Sequence, residues 1–227
     1  MLTLMFILYL RKLNKKHSFT KKIGRWRFLS YKSPLLFLII LFLSLKAFSQ
    51  EKNLKFGIWK NKSYIGFIHI GQAINDRQIS YKLQSEISYK LLIPIQIRSS
   101  EKSVFNNGIL TYSSINRKVN DREKVNKLLV YSYGAYRLTD GKRFKIVHLD
   151  TLKHNLVALY FTLPGLIKQV YCDNHQAVSD VIKLAKNKYM VTMPDDSCNI
   201  FHYRDGKCIK VEVNNPLYKV ELHPINI

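Results

Sequence analysis

From residue 79 to residue 91 the chain alternates. Ile79, Tyr81, Leu83, Ile87, Tyr89 and Leu91 stand in every second place, with Ser80, Lys82, Gln84, Glu86, Ser88 and Lys90 between them. Extended backbone points successive side chains to opposite faces, so such a segment has one face for a core and one for water. As a strand it would be about 40 Å long at roughly 3.3 Å per residue, longer than most strands of globular proteins. A long one-sided strand suits a strongly curved antiparallel sheet, and the expected class is all-β.

The front of the chain has a different character. Residues 34–45 (PLLFLIILFLSL) are apolar apart from Ser44, and Lys21, Lys22, Arg25, Arg27 and Lys32 lie upstream. Ala47-Phe48-Ser49 then places small residues at the two positions a signal peptidase reads, which predicts cleavage before Gln50. A membrane-spanning helix needs about 20 apolar residues and this run has roughly a dozen, so no stable anchor is expected after cleavage. The basic region of residues 1–33 is long for a signal sequence and reads as an extended leader or as a start codon further downstream. The expected organisation is a leader over 1–49 and one β-rich exported domain over 50–227, periplasmic or secreted.

The leader inflates the charge. Residues 1–49 hold ten Lys or Arg and no acid, which leaves 27 basic against 15 acidic residues from Gln50 onward, a net of +12. The later lysines are scattered, as at Lys52, Lys82, Lys118, Lys142 and Lys186, with no block of like charge. That pattern argues against a nucleic-acid partner, which calls for a clustered stripe or an aromatic platform. Cys172, Cys198 and Cys208 are an odd number for an exported chain. A two-residue turn at Asp205-Gly206 would set Tyr203 opposite Cys208 and Cys198 opposite Val213. Cys198 and Cys208 would then lie about 15 Å apart, beyond the roughly 7 Å that a disulfide spans between α-carbons.

After the leader, strands are expected at 54–59, 63–74, 79–91, 95–105, 109–117, 123–133, 136–138 and 143–148, joined by short turns such as Asn106-Asn107-Gly108 and Asp140-Gly141. Gly66 and Gly71 inside the second strand predict a bulge or a close backbone approach. Short connections between consecutive strands predict an antiparallel meander. Residues 155–162 (NLVALYFT) lack a period of two, and Leu156, Leu159, Tyr160 and Leu163 fit one face of a short helix that Pro164-Gly165 ends. A short helix or irregular plug is expected here, packed against the curved sheet or across its open end, with its apolar stripe serving chiefly as core. Strands resume at 167–172, 177–185, 188–193, 199–204, 208–213 and 217–223.

Motifs for chemistry are absent: no His-Glu-x-x-His, Cys-x-x-Cys, phosphate-binding glycine loop or Gly-x-Ser-x-Gly elbow occurs. The histidines stand alone, and Asp195-Asp196 sits in a Pro-Asp-Asp-Ser turn where aspartate serves the backbone. The expectation is a protein without catalytic residues, metal or cofactor. Arg98 and Glu101, in the polar middle of their strand, are expected to face water; if that face lined a cavity, one of them could orient a ligand's polar head.

Residues 64–68 (YIGFI), 101–110 (EKSVFNNGIL), 158–164 (ALYFTLP) and 203–213 (YRDGKCIKVEV) together resemble an uncharacterised family of exported β-rich proteins found widely in Bacteroidetes. The resemblance covers nearly all of the chain after the leader. It implies a curved antiparallel half-barrel similar to periplasmic lipoprotein carriers and lipocalin-like domains, and it brings no activity or catalytic residue with it. A half-open barrel with one short helix suits a lipid or other apolar ligand, with Tyr81, Tyr89, Leu156, Tyr160 and Phe161 as candidate cavity residues. The competing expectation is a module that binds another envelope component through its basic surface or an edge strand.

Overall fold

The computed structural model describes residues 50–90, 94–147 and 150–225. The leader expected over 1–49 lies outside the described residues. Fourteen strands form one curved, unclosed antiparallel sheet. They are β1 (Gln50–Lys60), β2 (Ser63–Asn75), β3 (Gln78–Lys90), β4 (Pro94–Asn106), β5 (Ile109–Val119), β6 (Arg122–Ser132), β7 (Ala135–Asp140), β8 (Arg143–Val147), β9 (Gln169–Cys172), β10 (Ala177–Ala185), β11 (Lys188–Thr192), β12 (Cys198–Arg204), β13 (Lys207–Asn215) and β14 (Tyr218–Pro224).

The sheet runs β8-β7-β6-β5-β4-β3-β2-β1-β14-β13-β12-β11-β10-β9. A simple meander would leave the first and last strands at its edges. Here β1 pairs with β14, with Phe56 opposite Pro224 and Ile58 opposite Leu222. The free edges are therefore β8 and β9, from the middle of the chain. Local turn chemistry specifies each hairpin, since Asn107 and Gly108, like Asp205 and Gly206, adopt the positive φ that tight turns demand. Nothing local specifies the β1–β14 ladder; it forms because both strands need a partner and a buried face.

The segment from Asp150 to Lys168 leads from one free edge to the other and enters the concavity. Its centre is a single 3-10 turn, Leu156–Tyr160, and the sheet packs around it. The expected stripe of Leu156, Leu159, Tyr160 and Leu163 is corrected: Val157, Ala158, Leu159 and Tyr160 are buried, while Leu156 and Leu163 stay half-buried. A turn surrounded by sheet has no solvent face to keep polar, so periodicity carries no information there. Tyr160 packs edge-on between Phe56 and Phe201, with ring centroids 5.3 and 5.4 Å away.

Polar groups pin the plug at both ends. The Leu152 amide donates to the Tyr136 hydroxyl at 2.9 Å, and the Tyr203 hydroxyl donates to the Leu159 carbonyl at 2.6 Å. Replacing Tyr203 by Phe leaves that carbonyl buried without a partner and is expected to cost about 1–2 kcal/mol. Urea unfolding of the two proteins measures the difference, and coincident midpoints would refute this role.

A bulge between His202 and Tyr203 shifts the β12–β13 register. Tyr203 does face Cys208, but Cys198 faces Asn214 rather than Val213. The three cysteines are free thiols.

Candidate functional site

The concave face can be followed row by row across β3, β4, β5 and β6, because paired residues on an antiparallel ladder share a face. Tyr81 pairs with Ser103, Ser103 with Ser113, and Ser113 with Leu129. One step along the strands lie Leu83, Glu101, Ile115 and Lys127. Then come Ser85, Ser99 and Arg117, and after them Ile87, Ile97 and Val119. Tyr89 and Ile95 form the last row. Burial falls along this path. Tyr81, Leu83, Ser103 and Ser113 are buried, whereas Ile87, Tyr89, Ile95, Ile97 and Val119 are only half-buried.

The middle rows are polar where a core would be apolar. Asp173, in the turn after β9, is buried and accepts hydrogen bonds from the Ser113 hydroxyl and, at 3.4 Å, from Asn155 Nδ2. The same Asn155 nitrogen reaches Ser103 Oγ at 2.8 Å, and its Oδ1 caps the plug by accepting from the Ala158 amide at 3.2 Å. Asn155 is fully buried. One side chain thus ties the plug, β4 and Asp173 together, and an isosteric aspartate there could not make both amide donations.

Glu101 corrects the expectation of a water-facing residue. Part of the residue remains accessible, yet its carboxyl lies in desolvated surroundings. Burial, and secondarily the charge of Asp173, push its pKa up to about 7, against a smaller opposing pull from Arg117. Burial raises Asp173 to about 6, with the hydrogen bonds from Ser113 and Asn155 holding it down. Both carboxyls are thus held above their ordinary range, and the charge of Asp173 adds to the rise at Glu101.

Arg98 sits on the opposite face, as the alternation of β4 requires. It pairs with Asp121 at 2.8 Å, and both side chains are at least half exposed. With Phe67, Gln84, Glu86, Asn116 and Lys118 it lines an open depression of about 360 Å³ on the outer surface. There the water-facing expectation holds.

Of the cavity residues expected from sequence, four meet around the plug. Tyr81 accepts a hydrogen bond from Gln72 Nε2 at 3.1 Å and lies 5.7 Å, ring to ring, from Phe161. Tyr160 is in the core, and Leu156 and Phe161 are half-buried against it. Tyr89 stands apart from them. It is eight residues from Tyr81 along the same strand, about 27 Å at 3.4 Å per residue, with Lys60 Nζ 4.2 Å from its ring centroid. The sequence reading missed Asn155, Asp173, Arg117 and Lys127. The available signal was in β4, where residues 98 to 103 are polar on both faces of a strand that ought to bury one.

The buried thiols of Cys172 and Cys208 are pushed by desolvation to about 11 and about 12, so both are protonated and unreactive at neutral pH. Asp195 accepts from its own turn, from Ser197 Oγ at 2.5 Å, as the Pro-Asp-Asp-Ser sequence implies. Among the described residues no three His, Cys, Asp or Glu side chains converge as metal ligands do.

Residues 56–225 match a family described as a domain of unknown function, DUF6134. No curated protein matches the chain. Among solved structures, the fold is similar to that of a beta-barrel-like protein of another domain of unknown function, DUF1849, from Brucella abortus. The TM-score is 0.51 at 8% identity, over 77% of this chain and 95% of that one. At that identity the likeness is one of fold alone.

Proposed function

The chain belongs to the DUF6134 family, and we propose that it is a non-enzymatic envelope protein that holds a lipid or another apolar molecule on the concave face of its sheet. The observation that carries this reading is the half-buried apolar shelf of Ile87, Ile97 and Val119, continued by Tyr89 and Ile95. The plug fills the concavity around Tyr81 and Tyr160, so the binding surface is this shelf rather than the whole interior. Apolar side chains left half-wet beside a few convergent polar groups are the usual lining of a small-molecule site. The leader-like residues 1–49 support an exported location, periplasmic or secreted. No cofactor and no nucleic acid takes part.

Native mass spectrometry of the protein, purified gently from the periplasm of an expression host, tests the reading. The expected spectrum carries extra mass that organic extraction removes. A clean protein mass, together with no uptake of an added apolar dye, would overturn it.

A second reading has its own observation. On the free edge strand β8, Phe144 and Ile146 are 69% and 57% exposed, and Lys142, Arg143 and Lys145 flank them. An edge of this kind can add a strand from another envelope protein. Crosslinking in the native envelope at low and high salt would capture such a partner; no captured partner at either salt would count against it.

A further inference from the structure

Arg117 stands where the concave face changes from polar to apolar. Its Nε donates to Ser99 Oγ at 2.9 Å, and Ser85 and Ser99 complete its row. One step further along the strands lie Ile87, Ile97 and Val119, and one more brings Tyr89 and Ile95, so the last apolar row stands roughly 14 Å from the Arg117 row at 3.4 Å per residue. Arg117 is half-buried, yet among the described residues it forms no ion pair and its terminal nitrogens have no hydrogen-bond partner. Of the other cations nearby, Lys127 Nζ donates to the Asn174 carbonyl at 2.8 Å and has Asp140 at 3.9 Å, while Arg122 is exposed and pairs with Val119 at the far end of the next row, beyond the polar row that holds Arg117. A partly desolvated guanidinium ordinarily has a carboxylate or phosphate on its fork.

We infer that the molecule held on this face is a single-tailed anion, a carboxylate or phosphate monoester, with its head on the free fork of Arg117 and its tail over Ile87, Ile97 and Val119 toward Tyr89 and Ile95. The inference rests on the apolar-ligand reading above and adds the charge of the head and its place. The hydroxyls of Ser85 and Ser99, in the same row as Arg117, offer further donors for head-group oxygens. The net +12 charge of residues 50–227 favours the approach of an anion over that of a neutral amphiphile.

The test displaces a neutral dye, N-phenyl-1-naphthylamine, from the protein purified after export, using oleate, oleyl phosphate and oleyl alcohol. Oleate or oleyl phosphate is expected to displace the dye at about 10-fold lower concentration than the alcohol, as a hydrogen-bonded charge requires. Arg117→Gln should erase that preference and leave the alcohol unchanged, whereas Arg98→Gln, on the outer face, should keep it. A preference for only one of the two anions would identify the head as carboxylate or as phosphate and support the inference. Equal displacement by acids and alcohol in the parent protein would overturn the head-group assignment while leaving the apolar-ligand reading intact, and this arm needs no variant to fold. No displacement by any of the three would remove both.

Discussion

Replacing Gly66 by Ala is expected to cost roughly 3 kcal/mol or more, because the added methyl group meets backbone that cannot move aside. A Cβ at this position would lie 2.0 Å from the Glu86 carbonyl oxygen and 2.8 Å from the Ile87 Cα, both on the adjacent strand β3. To make room, β2 and β3 would have to separate at Gly66–Ile87, the terminal pair of their ten-pair ladder, with β1 and β4 fixing the two strands from either side. The bulge between Ile58 and Trp59 on the other side of β2 adds to the constraint, since Gly66 pairs with Ile58 next to it. A loss of this size should lower the melting temperature by about 6–12 °C in a domain of this length. Gly71→Ala is the control. Its Cβ would approach only the Asn53 side-chain oxygen, at 3.1 Å, and that group can rotate away. Thermal melts should therefore separate the two variants clearly; equal melting temperatures would show that the sheet relaxes around Gly66.

Gly66 also shows how far the sequence could be read. Glycine inside an apolar strand marked a close approach, and one exists, but its partner was not legible. The hairpins were local problems. Asn107-Gly108 and Asp205-Gly206 specify their turns by the φ they tolerate, so the order and extent of the strands followed from residues a few places apart. The pairing of β1 with β14 joins positions about 165 residues apart and leaves no local mark. Once it forms, β8 and β9 become the free edges and the plug must travel between them, which brings Asn155 and Asp173 onto the faces of β4 and β5. The candidate site was therefore hidden for a topological reason. Glu101, Ser103, Ser113 and Asp173 look like ordinary polar residues until the fold removes water from them. Alternation places Glu101 and Arg98 on opposite faces, which the expectation of one shared water-facing side overlooked, and only tertiary packing decides which of the two goes inside.

Glu101→Gln should make the protein more stable at pH 8 by about 2 kcal/mol and change little at pH 4. The ordinary carboxyl of an unfolded chain releases its proton near 4.5, whereas Glu101 in the folded protein holds its proton up to about 7. Below 4.5 both states are protonated and the carboxyl costs nothing. Between 4.5 and 7 the folded state binds more protons than the unfolded one, so stability falls as pH rises. Above 7 the full cost is present. A shift of that size corresponds to about 3 kcal/mol, and the partial exposure of the residue brings the expected value down to about 2. Glutamine keeps the shape and cannot ionise, so its profile should lose this falling limb. The limb from Asp173, whose pKa burial raises to about 6, should remain at lower pH. Denaturant unfolding at pH 4, 6 and 8 gives the comparison, and parallel profiles for parent and variant would show that the Glu101 carboxyl is solvated after all. A carboxyl that weakens the fold at neutral pH is the sort of group that binding keeps and folding does not explain.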